Sequence, residues 1–316
     1  MIEVKNLTKK FGDHYAIRDL TFNVSPGKIY GLLGPNGAGK STTMNIMTGY
    51  IGATSGKVLV NGHDIVTEAR EAKKCIGYLP EIPPLYNDMT VREYLNFAAE
   101  LKQVPKAIRK SSVSRVMEQT KITDMAGRLC RNLSKGYRQR VGMACAIIGD
   151  PEIIILDEPT VGLDPIQIAD VRDLIRDLGK THTVILSSHI LSEVSEVCDH
   201  VFIISNGEMV LSEDSANLAY HLKTGQTLEI IAKGSSEDAK KALSELPNVD
   251  HVTCTAGDEE DTIRLTVSAA GKSDIRSEVS LALSSAKCPV LSMNETGQSL
   301  EDVFMAMTSE ADESRK

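Results

Sequence analysis

The residues most suggestive of chemistry form a glycine-rich stretch that ends in a lysine and two hydroxyls. The stretch reads Gly34, Pro35, Asn36, Gly37, Ala38, Gly39, Lys40, Ser41, Thr42. Glycines let the backbone turn several N–H groups toward one point, where they can cradle the oxygens of a polyphosphate. Lys40 could then reach the terminal phosphates, and the Ser41 hydroxyl could hold Mg²⁺. The stretch therefore predicts binding of a nucleoside triphosphate.

Such a loop needs a strand before it and a helix after it. The apolar run 28–33 is short enough for a buried strand, and residues 42–47 can continue as a helix. The positive end of that helix dipole would face the phosphates. The alternative is a glycine-rich turn with an unrelated lysine, which the strand–turn–helix context disfavours.

A second candidate is a pair of acids that follows four aliphatic residues. Ile153–Leu156 predicts a buried strand, and Asp157 and Glu158 come directly after it. Open α/β sheets place ligand chemistry at the carboxyl ends of their strands. Asp157 could hold Mg²⁺ through water, and Glu158, facing the other way, could polarise an attacking water. Alone the pair could be a solvated strand end, but the phosphate loop favours the catalytic interpretation.

Further motifs follow in a fixed order. Upstream of the acids, Ser134 in the run 133–140 is a natural N-cap for a basic helix start. Downstream come Gly162-Leu163-Asp164-Pro165 and then Ser187-Ser188-His189. Over about residues 1–210 this set resembles the ATP-binding subunit of ABC transporters, because the motifs occur in that family's order and spacing.

The resemblance implies a role for each matching residue at the nucleotide. Phe11 would stack on adenine, and residues 34–42 would form the Walker A loop. Asp157 would be the Walker B magnesium residue, and Glu158 the catalytic glutamate. His189 would be the switch histidine that contacts the γ-phosphate. ATP and Mg²⁺ are the expected ligands.

Other matching residues imply a second cassette. Ser134 and Gly136 match the signature loop, which in the family caps ATP bound by the opposite subunit. Asp164 matches the loop that touches the partner cassette. We therefore expect two cassettes to sandwich ATP head to tail, as a homodimer or a heterodimer.

Three residues depart from the family pattern. Lys135 replaces a signature glycine and adds a cation near the phosphate, and Tyr137 replaces a glutamine. Glu81 stands where the family usually has glutamine. We predict that Glu81 is a catalytic and Mg²⁺-binding residue; the alternative is a solvent-facing acid.

The chain is long enough for two domains. Strand-like and helix-like segments alternate in its first half, with a helix-rich insert. The resemblance implies an α/β P-loop NTPase cassette over residues 1–222, with a RecA-like core sheet, an N-terminal antiparallel β subdomain and a helical subdomain at about 88–150. Residues 223–308 read β-α-β-β-α-β, which predicts a ferredoxin-like α+β domain. That domain would end with a helix at Ser299–Met307, before a disordered tail at 309–316.

Composition limits the function. The net charge of −8 among 316 residues argues against a broad nucleic-acid surface. We find no signal peptide, no zinc spacing among the cysteines, and no apolar run near the ~18 residues that span a bilayer. We therefore expect a cytoplasmic protein, and the resemblance to ABC transporter subunits implies that it lies at the inner face of the membrane through a permease on another chain.

The C-terminal part, including residues 299–304, resembles the appendix on bacterial export cassettes of the drug-resistance and gliding-motility type. This resemblance favours an exporter over a binding-protein-dependent importer. We expect ATP hydrolysis to power the export, with the segment from Glu81 to Thr90 pulling on the permease. A soluble ABC ATPase acting on ribosomes or DNA is the alternative, and the absence of a second cassette or a long coiled-coil insert disfavours it. A regulatory binder without hydrolysis is disfavoured because Asp157, Glu158 and His189 are present.

Overall fold

A computed structural model describes residues 1–217, 227–257, 261–269 and 274–295. The chain divides into two units, Met1–Ser215 and Ala216–Lys316. The predicted boundary after residue 222, the predicted helix at Ser299–Met307 and the predicted tail lie outside the described residues.

The first unit contains ten described strands and seven described α-helices. The strands are β1 (Ile2–Phe11), β2 (His14–Val24), β3 (Ile29–Leu33), β4 (Ser55–Val60), β5 (His63–Asp64), β6 (Ile76–Leu79), β7 (Ile153–Leu156), β8 (Thr183–Ser188), β9 (His200–Ser205) and β10 (Glu208–Asp214). The helices are α1 (Lys40–Met47), α2 (Ala69–Lys74), α3 (Val91–Leu101), α4 (Lys106–Gln119), α5 (Lys135–Ile147), α6 (Pro165–Gly179) and α7 (Leu191–Val197).

Two sheets organise this unit. An antiparallel sheet has the order β2-β1-β4-β5, and a six-stranded sheet has the order β10-β9-β3-β8-β7-β6. In the larger sheet all pairs are parallel except the edge pair of β9 and β10. Parallel strands bring their carboxyl ends to one edge, so β3, β7 and β8 deliver the residues that follow them to a common place. The predicted core sheet and antiparallel subdomain are confirmed.

The four residues of β7 show why the central strands hold their position. All four are aliphatic and fully buried, and β7 is hydrogen-bonded on both sides, to β6 and β8. Covered on both faces, such a strand reads as a continuous apolar run rather than an alternating one. The acids at its end are therefore anchored by the most deeply buried part of the sheet.

The predicted helical region lies between β6 and β7 and contains α3, α4 and α5. Thr90 begins α3 with a capping box, since its side chain accepts from the Glu93 N–H and the Glu93 carboxylate accepts from the Thr90 N–H. Ser134 begins α5, as predicted, and its hydroxyl accepts from the Tyr137 N–H at 3.4 Å. Throughout the described parts of the chain, every helix is too short or too polar to cross a membrane.

The second unit has its own sheet and core. Its described elements are β11 (Thr227–Lys233), α8 (Ser236–Ser244), β12 (Val249–Ala256), β13 (Thr262–Ala269), α9 (Arg276–Ser285) and β14 (Val290–Glu295). The sheet order is β12-β13-β11-β14, and all pairs are antiparallel. Inward-facing residues such as Leu228 and Leu265 pack with Val279 and Leu283 of α9. This arrangement confirms the predicted ferredoxin-like order.

Candidate active site

The glycine-rich loop connects β3 to α1, and two of its glycines have left-handed backbone conformations. Gly37 and Gly39 have φ angles of 83° and 104°, in the left-handed region that favours glycine. A side chain at Gly39 would also approach the Ala16 carbonyl oxygen to 2.5 Å. Gly39 is the N-cap of α1, and no described side chain caps the helix. The first N–H groups of α1 are thus available to an anion.

Lys40 is 5% exposed, and its ammonium lies inside the loop. Its Nζ donates to the carbonyl oxygens of Gly34 at 2.7 Å and Pro35 at 3.2 Å. The same nitrogen lies 3.4 Å from Glu158 Oε1. A buried cation is therefore already in place beside the loop, held by groups that phosphate oxygens could replace.

A cavity of about 370 Å³ opens over this loop. Its lining residues are Ala16, Asn36, Gly37, Ala38, Gly39, Lys40, Ser41, Thr42, Glu81, Glu158, Val161 and His189. The predicted phosphate-loop residues from Asn36 onward and three predicted catalytic residues therefore meet at one place. Gly34 and Pro35 contribute through the carbonyls that hold Lys40.

Asp157 follows β7, and one of its carboxylate oxygens accepts hydrogen bonds from two hydroxyl groups. Ser41 Oγ donates to Asp157 Oδ1 at 3.0 Å, and Ser187 Oγ donates to it at 2.7 Å. Burial raises the pKa of the Asp157 carboxyl, the two hydroxyl bonds oppose that rise, and the charges of Glu158 and Glu81 add to it. A site where neighbouring carboxylates repel each other favours a bound cation.

The pair of Ser41 and Asp157 fits Mg²⁺, which prefers hydroxyl and carboxylate oxygens. Within the described ranges, no three His, Cys, Asp or Glu side chains gather into a metal site on their own. A Mg²⁺ ion here would take its other ligands from phosphate oxygens and water, as is usual for this ion. Glu81 lines the same cavity as Ser41. The role of Glu81 as a Mg²⁺ ligand stays a prediction.

Glu158 turns back toward the phosphate loop. It has a φ of 47°, which is uncommon for a residue with a side chain. Its N–H donates to Ser187 Oγ at 2.8 Å. Its carboxylate reaches Lys40 through Oε1, and its Oε2 lies 3.0 Å from His189 Nδ1. The 6% exposed glutamate is therefore fixed at the backbone and at both oxygens.

The two acids line two different spaces beside the phosphate loop. Glu158 lines the phosphate cavity, whereas Asp157 lines a neighbouring cleft of about 530 Å³. Ser41 and Glu81 line both spaces. The remaining lining residues of the cleft are Asn45, Tyr50, Tyr78, Leu79, Pro80, Ile82, Pro83, Pro84, Tyr94, Gly142 and Cys145. The segment that begins at Glu81 therefore shares a mostly apolar cleft with Ser41 and Asp157.

Phe11 lies at the end of β1, outside the lining of the phosphate cavity. Its side chain is 51% exposed, and Lys9 Nζ lies 4.9 Å from the ring centroid. An exposed ring can stack on a planar base, and a nearby cation can pair with phosphate charge. The position is compatible with the predicted adenine contact.

The structure places Ser134, Gly136 and Asp164 in a separate group. Gly136 is buried, and the end of the Gln167 side chain occupies the space where a side chain at Gly136 would begin. Asp164 caps α6 by accepting from the Gln167 N–H at 2.9 Å. The Lys135 side chain lies against Gly162. The signature loop and the loop before α6 therefore contact each other, and Ser134, Gly136 and Asp164 are not among the residues that line the phosphate cavity of the same chain.

Sequence reasoning missed the role of Ser187, which contacts Asp157 and the backbone of Glu158. It also missed Glu193, whose Oε2 accepts from Thr160 Oγ1 at 2.7 Å. A signal for Ser187 existed, because a hydroxyl directly after the apolar run of β8 would lie at the same sheet edge as Asp157. Using this signal would have required knowing that β8 is next to β7 in the sheet.

Comparison with known proteins adds independent findings. Residues 17–161 match the family model described as ABC transporter. The chain is 30% identical over 309 residues to a linearmycin resistance ATP-binding protein of Bacillus subtilis, covering 98% of each chain. It is 39% identical over 212 residues to a bacitracin transport ATP-binding protein of Bacillus licheniformis, covering 66% of this chain and 68% of that one.

Comparison with solved structures also finds ATP-binding cassettes. The structure is similar to that of a dimeric ATP-binding cassette in a post-hydrolysis state with ADP and Pi, with a TM-score of 0.63 and 25% identity. The match covers 68% of this chain and 99% of that one. The ordered motifs, the converging site and the full-length relative lead to one conclusion: the chain belongs to the family of ATP-binding proteins of ABC transporters.

Proposed function

We propose that this chain binds and hydrolyses ATP to power export through a membrane-spanning permease on a separate chain. The observation that carries the proposal is the convergence of Lys40, Glu158 and His189 in the phosphate cavity, whose lining does not include Ser134. The names of two relatives, a linearmycin resistance protein and a bacitracin transport protein, favour export of a compound over work on ribosomes or DNA.

In this proposal, the loop N–H groups bind the phosphates, and Lys40 exchanges its carbonyl partners for phosphate oxygens. Ser41 and Asp157 would hold Mg²⁺, which would neutralise phosphate charge. Glu158 accepts a proton from the attacking water as general base. His189, 3.0 Å from Glu158 Oε2, orients that carboxylate and contacts the γ-phosphate.

A second cassette would complete the nucleotide-binding site. The hydroxyl of Ser134 and the N-terminal N–H groups of α5 would contact the γ-phosphate of the ATP bound by the partner. The Asp164 loop would contact that partner cassette as well. Lys135, which is exposed and follows Ser134, adds positive charge there. ATP would close the pair, and hydrolysis would reopen it.

The permease would be moved through the segment from Glu81 to Thr90. Within it Ile82 is 80% exposed and Tyr86 is 55% exposed, next to the mostly apolar cleft. Such residues suit an apolar partner element. The cassette would then lie in the cytoplasm at the inner face of the membrane. Capture from detergent-solubilised membranes should recover an integral membrane protein; ribosomal proteins or DNA instead would contradict the proposal.

The test of hydrolysis uses Glu158→Gln, which keeps the shape of the side chain but removes the base. ATP binding should persist, turnover should fall by at least about 100-fold, and a dimer should accumulate with ATP on a sizing column. Glu152→Gln is the matched control, because Glu152 is an exposed acid at the other end of the same strand. Undiminished turnover in Glu158→Gln would overturn the assignment of the base.

A further inference from the structure

Ser187 lies where three elements of the site meet. It belongs to β8, is fully buried, and pairs along the sheet with Leu32, two residues before the phosphate loop. On the other side, Leu186 pairs with Leu156, so Ser187 is level with Asp157. A hydroxyl at this point can contact both the strand before the loop and the strand that carries the acids.

Its hydroxyl makes two bonds of opposite direction. Glu158 N–H can only donate, and it donates to Ser187 Oγ at 2.8 Å. The hydroxyl proton is therefore left for Asp157 Oδ1, which lies 2.7 Å away. Bonds in such a chain strengthen one another in a buried site. The backbone of Glu158 thus determines which way the Ser187 hydroxyl points.

The two bonds hold different parts of the two acids. Ser187 holds the carboxylate of Asp157 in the orientation that meets Ser41, and it holds the backbone of Glu158 in its left-handed turn. Ser41 is the other donor to Asp157, and its oxygen would turn toward a metal. The Ser187 bond is then the hydroxyl contact among the described residues that keeps the Asp157 carboxylate in place.

We propose that Ser187 is a positioning residue for the Mg²⁺–nucleotide complex, acting through Asp157 and Glu158. The inference rests on the proposed function, because it assumes that Asp157 holds the metal. Groups that hydrogen-bond to metal ligands typically contribute 10-fold to 100-fold in metal affinity. Ser187 should therefore affect metal-dependent binding more than binding of the nucleotide alone.

The test measures nucleotide affinity by fluorescence titration with a labelled ATP analogue, first with a metal chelator and then across a Mg²⁺ series. Ser187→Ala should leave the chelator value within about 2-fold and raise the half-saturating Mg²⁺ concentration by about 10-fold. Ser187→Thr, which keeps the hydroxyl on a strand, should restore the wild-type value. If Ser187→Thr behaves like Ser187→Ala while both melt like the wild type, the proposal is overturned.

Ser188→Ala is the matched control. Ser188 is equally buried, but its hydroxyl accepts from the Ile190 N–H and contacts Glu193 rather than Asp157. It should keep the wild-type Mg²⁺ dependence, and an equal loss in Ser188→Ala would overturn the proposal by showing a general packing effect. If wild-type protein binds the analogue with no Mg²⁺ dependence, the proposed function itself fails, which is a separate outcome.

Discussion

Lys40 and Glu158 form a buried ion pair at the centre of the candidate site. Nζ and Oε1 are 3.4 Å apart, and the two side chains are 5% and 8% exposed. Two charges this deeply buried are tolerated because each compensates the other. An incoming phosphate would compete for Lys40, so nucleotide binding and release of the Glu158 carboxylate are linked by this contact.

The first prediction concerns Lys40→Ala. This change removes the cation at the phosphates and leaves Glu158 buried without its partner, so ATP affinity should fall by roughly 10-fold to 100-fold. Nucleotide titration by calorimetry would measure it. Lys28→Ala, a surface lysine just before β3 whose Nζ lies 3.9 Å from Asp214, should bind ATP normally. Equal affinities for Lys40→Ala and the wild type would contradict the account.

The second prediction concerns the exposed ring of Phe11. Stacking of a base on an aromatic ring contributes about 1–3 kcal/mol, so Phe11→Ala should weaken ATP binding by the matching factor, whereas Phe11→Trp should retain it. Inorganic triphosphate carries no base and serves as the internal control, since its affinity should not change. Stability should also be unaffected, because the ring is half exposed. An equal loss of affinity for ATP and for inorganic triphosphate would contradict a contact between Phe11 and the base.

The third prediction concerns the glutamate at position 81. Glu81→Gln removes a charge that raises the pKa of Asp157, and that pKa should fall accordingly. It also removes a carboxylate from the lining shared by Ser41 and Asp157. The half-saturating Mg²⁺ concentration should rise by several-fold, which corresponds to a loss of roughly 1 kcal/mol or less in Mg²⁺ binding at this exposed position. Turnover at saturating Mg²⁺ should persist. Unchanged Mg²⁺ dependence would favour the solvent-facing alternative.

The fourth prediction concerns Asp170 on α6. Its carboxylate accepts from Lys121 at 2.8 Å and Arg140 at 2.7 Å, and these bonds lower the pKa of Asp170. A carboxyl with a lowered folded-state pKa stabilises the fold above its unfolded pKa of about 3.9 and loses that effect as pH falls through the folded value. Asp170→Asn should therefore cost about 1 kcal/mol at pH 7, or 2–4 °C in Tm.

Asp173→Asn is the control for that measurement. Asp173 lies one turn away on α6 and is 70% exposed in its pair with Arg176, so its loss should change Tm little. Melting curves of both variants across pH would decide the matter. The difference between Asp170→Asn and the wild type should shrink as pH falls below the unfolded pKa and vanish once pH lies below the lowered folded-state pKa of Asp170; a difference that does not shrink toward acid pH would show that the ion pair is not its cause.

Local patterns predicted some parts of this structure to the residue. The boundaries of β7 followed from four aliphatics between polar neighbours, and the start of α5 followed from Ser134, because both signals are carried by adjacent residues. The ferredoxin-like order followed in the same way from alternating strand and helix signals.

What could not be read from the sequence depends on contacts between distant segments. That β8 lies between β3 and β7 is a property of the sheet order, and it alone brings Ser187 to Asp157, 30 residues away. The left-handed turn at Glu158 is likewise imposed by its neighbours, since nothing about a glutamate favours a positive φ. Propensity acts locally, whereas these features arise from packing.

The central claim is that ATP held by one copy is sealed by Ser134 of another, and mixing two defective variants tests it most directly. In purified Lys40→Ala and Ser134→Arg, each alone should hydrolyse ATP poorly. A mixed dimer would contain one site built from an intact loop and an intact signature helix, so turnover should reappear on mixing and rise with protein concentration. Full turnover by Ser134→Arg alone, at a rate strictly proportional to protein concentration, would contradict the account.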